Sequence, residues 1–142
     1  MVLAVALGLA SLSVRADVQN AVKLEKTYST FAKAANPEYA GPSAVDGKFF
    51  FNRKIKLANG KEAACASCHT SNPANEGKHM ITGKVIKPLS SIVNYKCFSD
   101  VNKVEEQFTL HCNDIIGSDC TAAEKANYIA YLLTEKTPTS KQ

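Results

Sequence analysis

The chain has 142 residues, of which 45% are hydrophobic and 21% charged, and a formal net charge of +4 at pH 7. This length supports one domain with a single core, and the composition is that of an ordinary globular protein. The lysines are scattered along the chain, which excludes the basic patch expected of a nucleic-acid-binding protein. The function must therefore reside in local motifs.

The first sixteen residues differ in composition from the rest of the chain. Residues 1–14 are almost wholly apolar, Ala16 offers a small side chain to a signal peptidase, and Asp17 opens a polar stretch. This pattern is typical of a secretory signal peptide, and the apolar run is shorter than the roughly 20 residues that span a bilayer. No Lys or Arg precedes the run, so we expect the signal peptide to be truncated at its start. We predict a signal peptide over residues 1–16, a mature domain over residues 17–142, and no membrane span after processing; a buried N-terminal helix or a membrane anchor is the alternative.

The spacing of apolar residues predicts a mostly helical fold with long loops and no convincing strand. Asn36-Pro37 stops the first helix, Gly117 ends the third, and Thr121 forms a capping box with Glu124 at the start of the last. Repeated Gly and Pro indicate that residues 70–90 are mostly loop. The expected helices span residues 20–35, 43–53, 100–116 and a last segment that begins at Thr121.

The strongest motif is Cys65-Ala-Ser-Cys68-His69. Two cysteines separated by two residues match the separation of the two vinyl groups of haem, and the next residue then lies beneath the porphyrin, where its imidazole can bind iron. A thioredoxin-like pair would need a strand–helix–strand context, and a zinc site would need further ligands. We predict one covalently bound haem c, attached through Cys65 and Cys68, with His69 as the proximal iron ligand.

Two other segments agree with a haem fold. Residues 47–50 (Gly-Lys-Phe-Phe) precede the motif, and residues 129–132 (Ile-Ala-Tyr-Leu) belong to the last helix. Together they resemble the class I cytochrome c pattern, in which a helix with Gly and an aromatic residue crosses the C-terminal helix, although ordinary core packing is compatible with them too. The resemblance implies an all-α, class I cytochrome c-like fold, with the 20–35 helix as an additional N-terminal helix and long loops around one haem.

The second axial ligand has three candidates, His79, Met80 and His111, because imidazole and thioether both bind haem iron. Met80 lies eleven residues after His69, much closer than the methionine ligand of class I cytochromes, and His79 has the same placement. His111 falls on the apolar stripe of a predicted helix, where a buried imidazole needs a polar or metal partner. The pattern alone leaves a satisfied core histidine as open as an iron ligand.

From Asp17 onward the chain resembles the cytochrome c″ family of monohaem cytochromes with two histidine ligands, and more distantly the SHP-type oxygen-binding cytochromes. The segments that carry the resemblance are 61–69, 82–84, 88–89 and 111–117 with Cys120. The resemblance implies that His111 is the distal iron ligand, where SHP-type proteins have Asn, and that Cys112 and Cys120 form a disulfide. An exported chain is a suitable setting for such a bond.

Cys97 departs from the resemblance, because the related proteins have Arg at this position. A free buried thiol and a surface thiol able to form an intermolecular disulfide both stay open. We also expect the ring of His69 to be fixed by a hydrogen bond to a carbonyl, with Pro88 as the candidate.

The resemblance implies a periplasmic electron-transfer protein that is not an enzyme. In such proteins the distal histidine is released on reduction and takes up a proton, since imidazole titrates near neutral pH. The alternative is a haem protein whose ferrous site binds or reduces O₂ or NO. The expected partners are redox proteins, with small diatomic ligands in the reduced state and no nucleic acid.

Overall fold

The computed structural model describes residues 4–139, without the side chains of residues 4–11 and 13. This part of the chain is mostly helical, which confirms the predicted all-α class. The helices are α1 (Ala4–Ala35), α2 (Ala44–Asn52), α3 (Cys65–His69), α4 (Val101–Ile116) and α5 (Ala122–Thr134). The strands are β1 (Ile55–Lys56), β2 (Glu62–Ala63), β3 (Gly77–Lys78) and β4 (Val85–Ile86), which form the antiparallel hairpins β1–β2 and β3–β4.

Helix α1 begins sixteen residues before the predicted start at Asn20. Its first part is rich in Ala and Leu, which favour helix, and no Pro or Gly-rich turn separates it from the predicted helix. Residues 1–3 of the predicted signal peptide lie outside the described residues, and the signal peptide stays a prediction. Within residues 4–139, no helix combines the length and the apolar character that a membrane span requires.

The ends of the last two helices follow the sequence signals. Asp100 caps α4 by accepting a hydrogen bond from the Lys103 N–H at 3.3 Å. Gly117 ends α4 with a φ of +82°, the left-handed conformation that glycine adopts without strain. The predicted capping box between Thr121 and Glu124 is present at the start of α5. Local hydrogen bonding therefore determines where these helices begin and end.

Helix α5 lies at the centre of the core, with α1 and α2 packed against it. A Cβ atom on Gly47 would lie 1.9 Å from the Asn127 carbonyl oxygen and 2.9 Å from the Tyr131 Cβ. The backbones of α2 and α5 therefore cross in direct contact, as in the class I cytochrome c pattern. The buried aromatic side chain of α2 is Phe51, whereas Phe49 is 70% exposed.

Helix α1 is joined to the loop before α4 by polar contacts. The Phe98 N–H donates to Asp17 Oδ1 at 2.8 Å, and Asn20 Nδ2 donates to the Phe98 carbonyl oxygen at 3.1 Å. Asp17 is buried, and this burial raises the pKa of its carboxyl group. The additional N-terminal helix is thus an integral part of the domain from Asp17 onward.

Candidate haem site

The cysteine–histidine motif forms the single-turn helix α3. Ser67 Oγ accepts a hydrogen bond from the Ala64 N–H at 2.9 Å, which closes the start of this turn. A Cβ atom on Gly77 would lie 2.2 Å from the Cys68 carbonyl oxygen, so β3 lies directly against α3. This contact requires glycine at position 77 and helps to hold Cys65, Cys68 and His69 on one rigid turn.

His69 is half-buried and faces the core. Its ring centre lies 6.4 Å from that of Phe51, which is fully buried. Burial, with a smaller contribution from His111, lowers the pKa of His69 to about 4. His69 is therefore neutral at physiological pH, the form in which imidazole binds a metal ion. Burial also raises the pKa of the Cys65 thiol to about 11.

The structure brings His69 and His111 together, although they are far apart in the chain. Their ring centres are 6.3 Å apart, with an interplanar angle of 52°. Metal–imidazole bonds are about 2.0–2.1 Å long, so one metal ion bound by a nitrogen of each ring separates the ring centres by about 6 Å. The pair therefore fits a single iron atom held between the two rings, next to the two cysteines of α3.

His111 is exposed, which differs from the expected position inside the apolar stripe of α4. The buried residues of α4 are Phe108 and Cys112. His111 directly precedes Cys112, and successive residues of a helix point about 100° apart. The His111 ring therefore lies at the edge of the buried face of α4. Val101, an apolar residue of the same helix, is 40% exposed.

A disulfide joins Cys112 to Cys120, with the two Cα atoms 5.6 Å apart. It links the last turn of α4 to the residue before the capping box of α5, and both sulfur-bearing residues are buried. The backbone that carries His111 is therefore covalently tied to the start of α5.

Replacement of both Cys112 and Cys120 by serine is expected to lower the free energy of unfolding by about 2–3 kcal/mol, because the bridge closes a short loop in the unfolded chain. Urea unfolding of the oxidised holoprotein measures this loss. Cys97→Ala serves as the control for loss of a thiol without loss of a bridge. A double variant no less stable than this control would contradict the prediction.

A row of aromatic side chains connects the two histidine-bearing elements. Tyr128 of α5 lies between Phe51 and Phe108, with ring centres 5.7 Å and 5.2 Å away, respectively. Phe108 in turn meets the Tyr28 ring edge-on at 5.8 Å. Nothing in the sequence pattern connects Tyr128 with the site. Its neighbours belong to other elements, so no local spacing could have revealed the row.

The other candidate ligands lie elsewhere. His79 and Met80 are exposed in the turn of the β3–β4 hairpin. His79 Nδ1 accepts hydrogen bonds from the backbone N–H groups of Ile81 and Thr82, at 3.2 and 3.1 Å. This ring nitrogen therefore stabilises the turn.

Pro88 and Cys97 have defined surroundings as well. The Pro88 carbonyl oxygen accepts a hydrogen bond from Asn94 Nδ2 at 2.8 Å, and its proposed bond to His69 stays a prediction. Cys97 is half-buried against the core, and burial, with a smaller contribution from Asp17, raises the pKa of its thiol to about 12. This environment favours a protonated, sheltered thiol.

Among the described residues, no group of three or more His, Cys, Asp or Glu side chains is arranged to hold a bare metal ion. His69 and His111 would hold the iron of a haem, and Cys65 and Cys68 would attach its porphyrin covalently. The chemistry of these four side chains therefore fits haem c.

Comparison with known proteins gives consistent matches. A family model described as "Domain of unknown function (DUF1924)" matches residues 37–132. Cytochrome c″ of Methylophilus methylotrophus is 63% identical over 124 residues, which are 87% of this chain and 86% of that protein. The cytochrome c-type protein SHP of Cereibacter sphaeroides is 36% identical over 72 residues, 51% of this chain and 55% of that protein.

Solved structures of these relatives share the fold. The crystal structure of oxidised cytochrome c″ has a TM-score of 0.83 at 62% identity and covers 86% of this chain and 99% of its own. Its solution structure, which concerns the structural basis of haem-ligand detachment, has a TM-score of 0.80 and covers 87% and 99%. Oxidised SHP, an oxygen-binding cytochrome c, has a TM-score of 0.69 at 29% identity and covers 80% and 96%.

A helical domain built around a Cys-x-x-Cys-His turn, with a second imidazole opposite the first, defines a monohaem c-type cytochrome. Its cofactor is haem c. The chain belongs to the DUF1924 family and, within the c-type cytochromes, to the family of cytochrome c″.

Proposed function

We propose that this protein is an exported, periplasmic electron carrier whose distal histidine is released and protonated when the haem is reduced. The observation that carries the proposal is the 6.3 Å separation of the His69 and His111 rings. Export is supported by the signal-peptide pattern of residues 1–16 and by the attachment motif, because c-type haem is attached outside the cytoplasm.

Each residue of the site has a distinct role in this proposal. Cys65 and Cys68 form the two thioether links, and His69 binds iron on the side of α3. His111 binds iron from the opposite side in the oxidised state. Haem c supplies the iron that takes up and returns one electron. The neutral form of His69, maintained by burial, leaves this ring available as the permanent ligand.

The contacts of α4 support a ligand that can leave. This helix packs against the core through Phe108 and the Cys112–Cys120 bridge, with Val104 and Ile116 partly buried beside them. His111 itself is exposed to solvent. The exposed His111 ring could therefore move away by a change in its own side-chain torsions, while Phe108 and Cys112 stay in the core. The freed imidazole would then lie in water, where it can take up a proton.

Electron uptake and proton uptake are then coupled, and the coupling is reciprocal. If reduction releases His111 and allows it to be protonated, protonation must equally favour reduction. The solution structure of the cytochrome c″ relative concerns haem-ligand detachment in that protein. At 63% identity, this relationship supports the same behaviour here.

Absorption and EPR spectra of the holoprotein in both redox states test the proposal. We expect a low-spin ferric form with two imidazole ligands and a five-coordinate, high-spin ferrous form at pH 7. A ferrous form that stays six-coordinate would contradict ligand release and leave a simple electron carrier. Rapid, reversible O₂ binding by the ferrous form without oxidation would instead favour an oxygen-binding role, as the name of the SHP relative indicates for that protein.

A further inference from the structure

Lys125 is a charged side chain in an unusual place. It lies near the start of α5, and only 10% of its side chain is exposed. A buried ammonium group costs free energy unless its surroundings compensate for the lost water. Its neighbours must therefore be specific, and they indicate what the residue does.

Two aromatic rings and one carboxylate surround the ammonium group. Lys125 Nζ lies 5.4 Å from the centre of the Tyr28 ring and 5.7 Å from that of Phe108. It also lies 3.6 Å from Asp119 Oδ1. The Asp119 side chain is 60% exposed, so this ion pair is weakened by solvent. The aromatic contacts, which are shielded from water, are the stronger interaction.

These contacts converge on the residues beside His111. Phe108 lies one helical turn before His111 on α4. Asp119 accepts a hydrogen bond from the Cys120 N–H at 3.1 Å, and Cys120 is bonded to Cys112, the neighbour of His111. Lys125 therefore connects α5 to α4 in two ways, directly through Phe108 and indirectly through Asp119 and the disulfide.

We propose that Lys125 is a positioning residue that holds α4 in the orientation in which His111 binds iron, through its contacts with Phe108 and Asp119. This inference rests on the proposed role of His111 as the releasable ligand. Loss of the ammonium group would allow the Phe108 turn of α4 to shift, although the disulfide remains, so that His111 leaves the oxidised haem more easily. Because ligation by His111 favours the ferric state, weaker ligation would also raise the reduction potential.

The test compares Lys125→Met with the wild-type holoprotein, since Met keeps most of the side-chain length and removes the charge. We expect release of His111 from the ferric haem to become roughly tenfold more favourable, as for the loss of a desolvated cation–aromatic contact. In the ferric protein, acid is expected to release His111 and to convert the iron from low spin to high spin. A tenfold change raises the pH midpoint of this conversion by about one unit. It raises the reduction potential by about 59 mV for a one-electron couple.

Lys103→Met is the matched control, because Lys103 lies on α4, the helix that carries His111, and its ion pair with Asp100 is exposed. It should change neither the midpoint nor the potential. Ile129→Val, at a fully buried position one turn further along α5, controls for general loss of stability. Lys125→Arg should keep both the midpoint and the potential close to their wild-type values, because it retains a cation beside the Tyr28 and Phe108 rings. If Lys125→Met does not yield folded protein, Asp119→Asn should move both values in the same direction by a smaller amount.

The inference is overturned if Lys125→Met has the wild-type midpoint and potential, if Ile129→Val shifts them equally, or if Lys125→Arg restores neither. In each case the wild-type spectra would still support the proposed function. A wild-type protein without release of His111 on reduction would instead contradict the proposed function itself, independently of any variant.

Discussion

Replacement of His111 by alanine is expected to abolish the low-spin ferric spectrum and to leave the ferrous spectrum almost unchanged. The reason is that, under the proposed function, the imidazole of His111 binds iron only in the oxidised state. Without this ligand the ferric form is less stable, and we expect the reduction potential to rise by at least about 120 mV, which corresponds to a hundredfold loss of ferric stabilisation. EPR and a redox titration measure both effects.

The His111→Ala variant should also lose most of the pH dependence of its potential near neutrality, because it lacks the group that we propose couples proton uptake to electron uptake. His79→Ala is the matched control, since His79 is exposed in a hairpin turn and should affect neither spectrum. A low-spin ferric spectrum in His111→Ala with a high-spin one in His79→Ala would reverse the assignment of the distal ligand.

Replacement of both Cys65 and Cys68 by alanine is expected to yield a chain without covalently bound haem. The two thiols are the only ones placed on the turn that ends at His69, and the Cys112–Cys120 pair is already bonded. We also expect the haem-free chain to be unstable, because a small core that surrounds a cofactor loses a large part of its buried surface with it. Mass spectrometry of the intact protein and the yield of soluble protein measure these effects.

Cys97→Ala is the control for this variant, since the Cys97 thiol is half-buried and belongs to no haem-attachment motif. It should retain one covalent haem. Covalent haem in the chain that lacks Cys65 and Cys68, together with haem loss in Cys97→Ala, would contradict the proposed attachment.

Most of the helical elements could be predicted because their signals are local. Asp100 and Thr121 satisfy free backbone N–H groups within the first turn of their own helices, and Gly117 relieves the strain of a left-handed residue at a helix end. The extension of α1 before Asn20 was missed because apolar residues can form a helix as well as a targeting signal. The two hairpins were missed because strands of two residues carry no detectable alternation.

The candidate site was only partly predictable, for a different reason. Cys65, Cys68 and His69 lie on one turn, so their spacing alone indicates haem attachment. For the second axial ligand the sequence offers three candidates, His79, Met80 and His111, and the pattern of residues does not decide among them. The tertiary fold places the ring of His111 opposite that of His69 and leaves it exposed at the edge of the buried face of α4.

The sequence by itself therefore determined the chemistry that depends on neighbours along the chain: the attachment motif and the ends of the last helices. The tertiary structure alone decided which histidine meets His69, and it placed Lys125 between Tyr28 and Phe108. The physical reason is the separation along the chain over which each interaction acts, since helix caps and the haem-attachment motif involve residues only a few positions apart. Burial depends on helices that are distant in the chain. The same is true of the contacts of Lys125 with two aromatic rings and of His69 with His111.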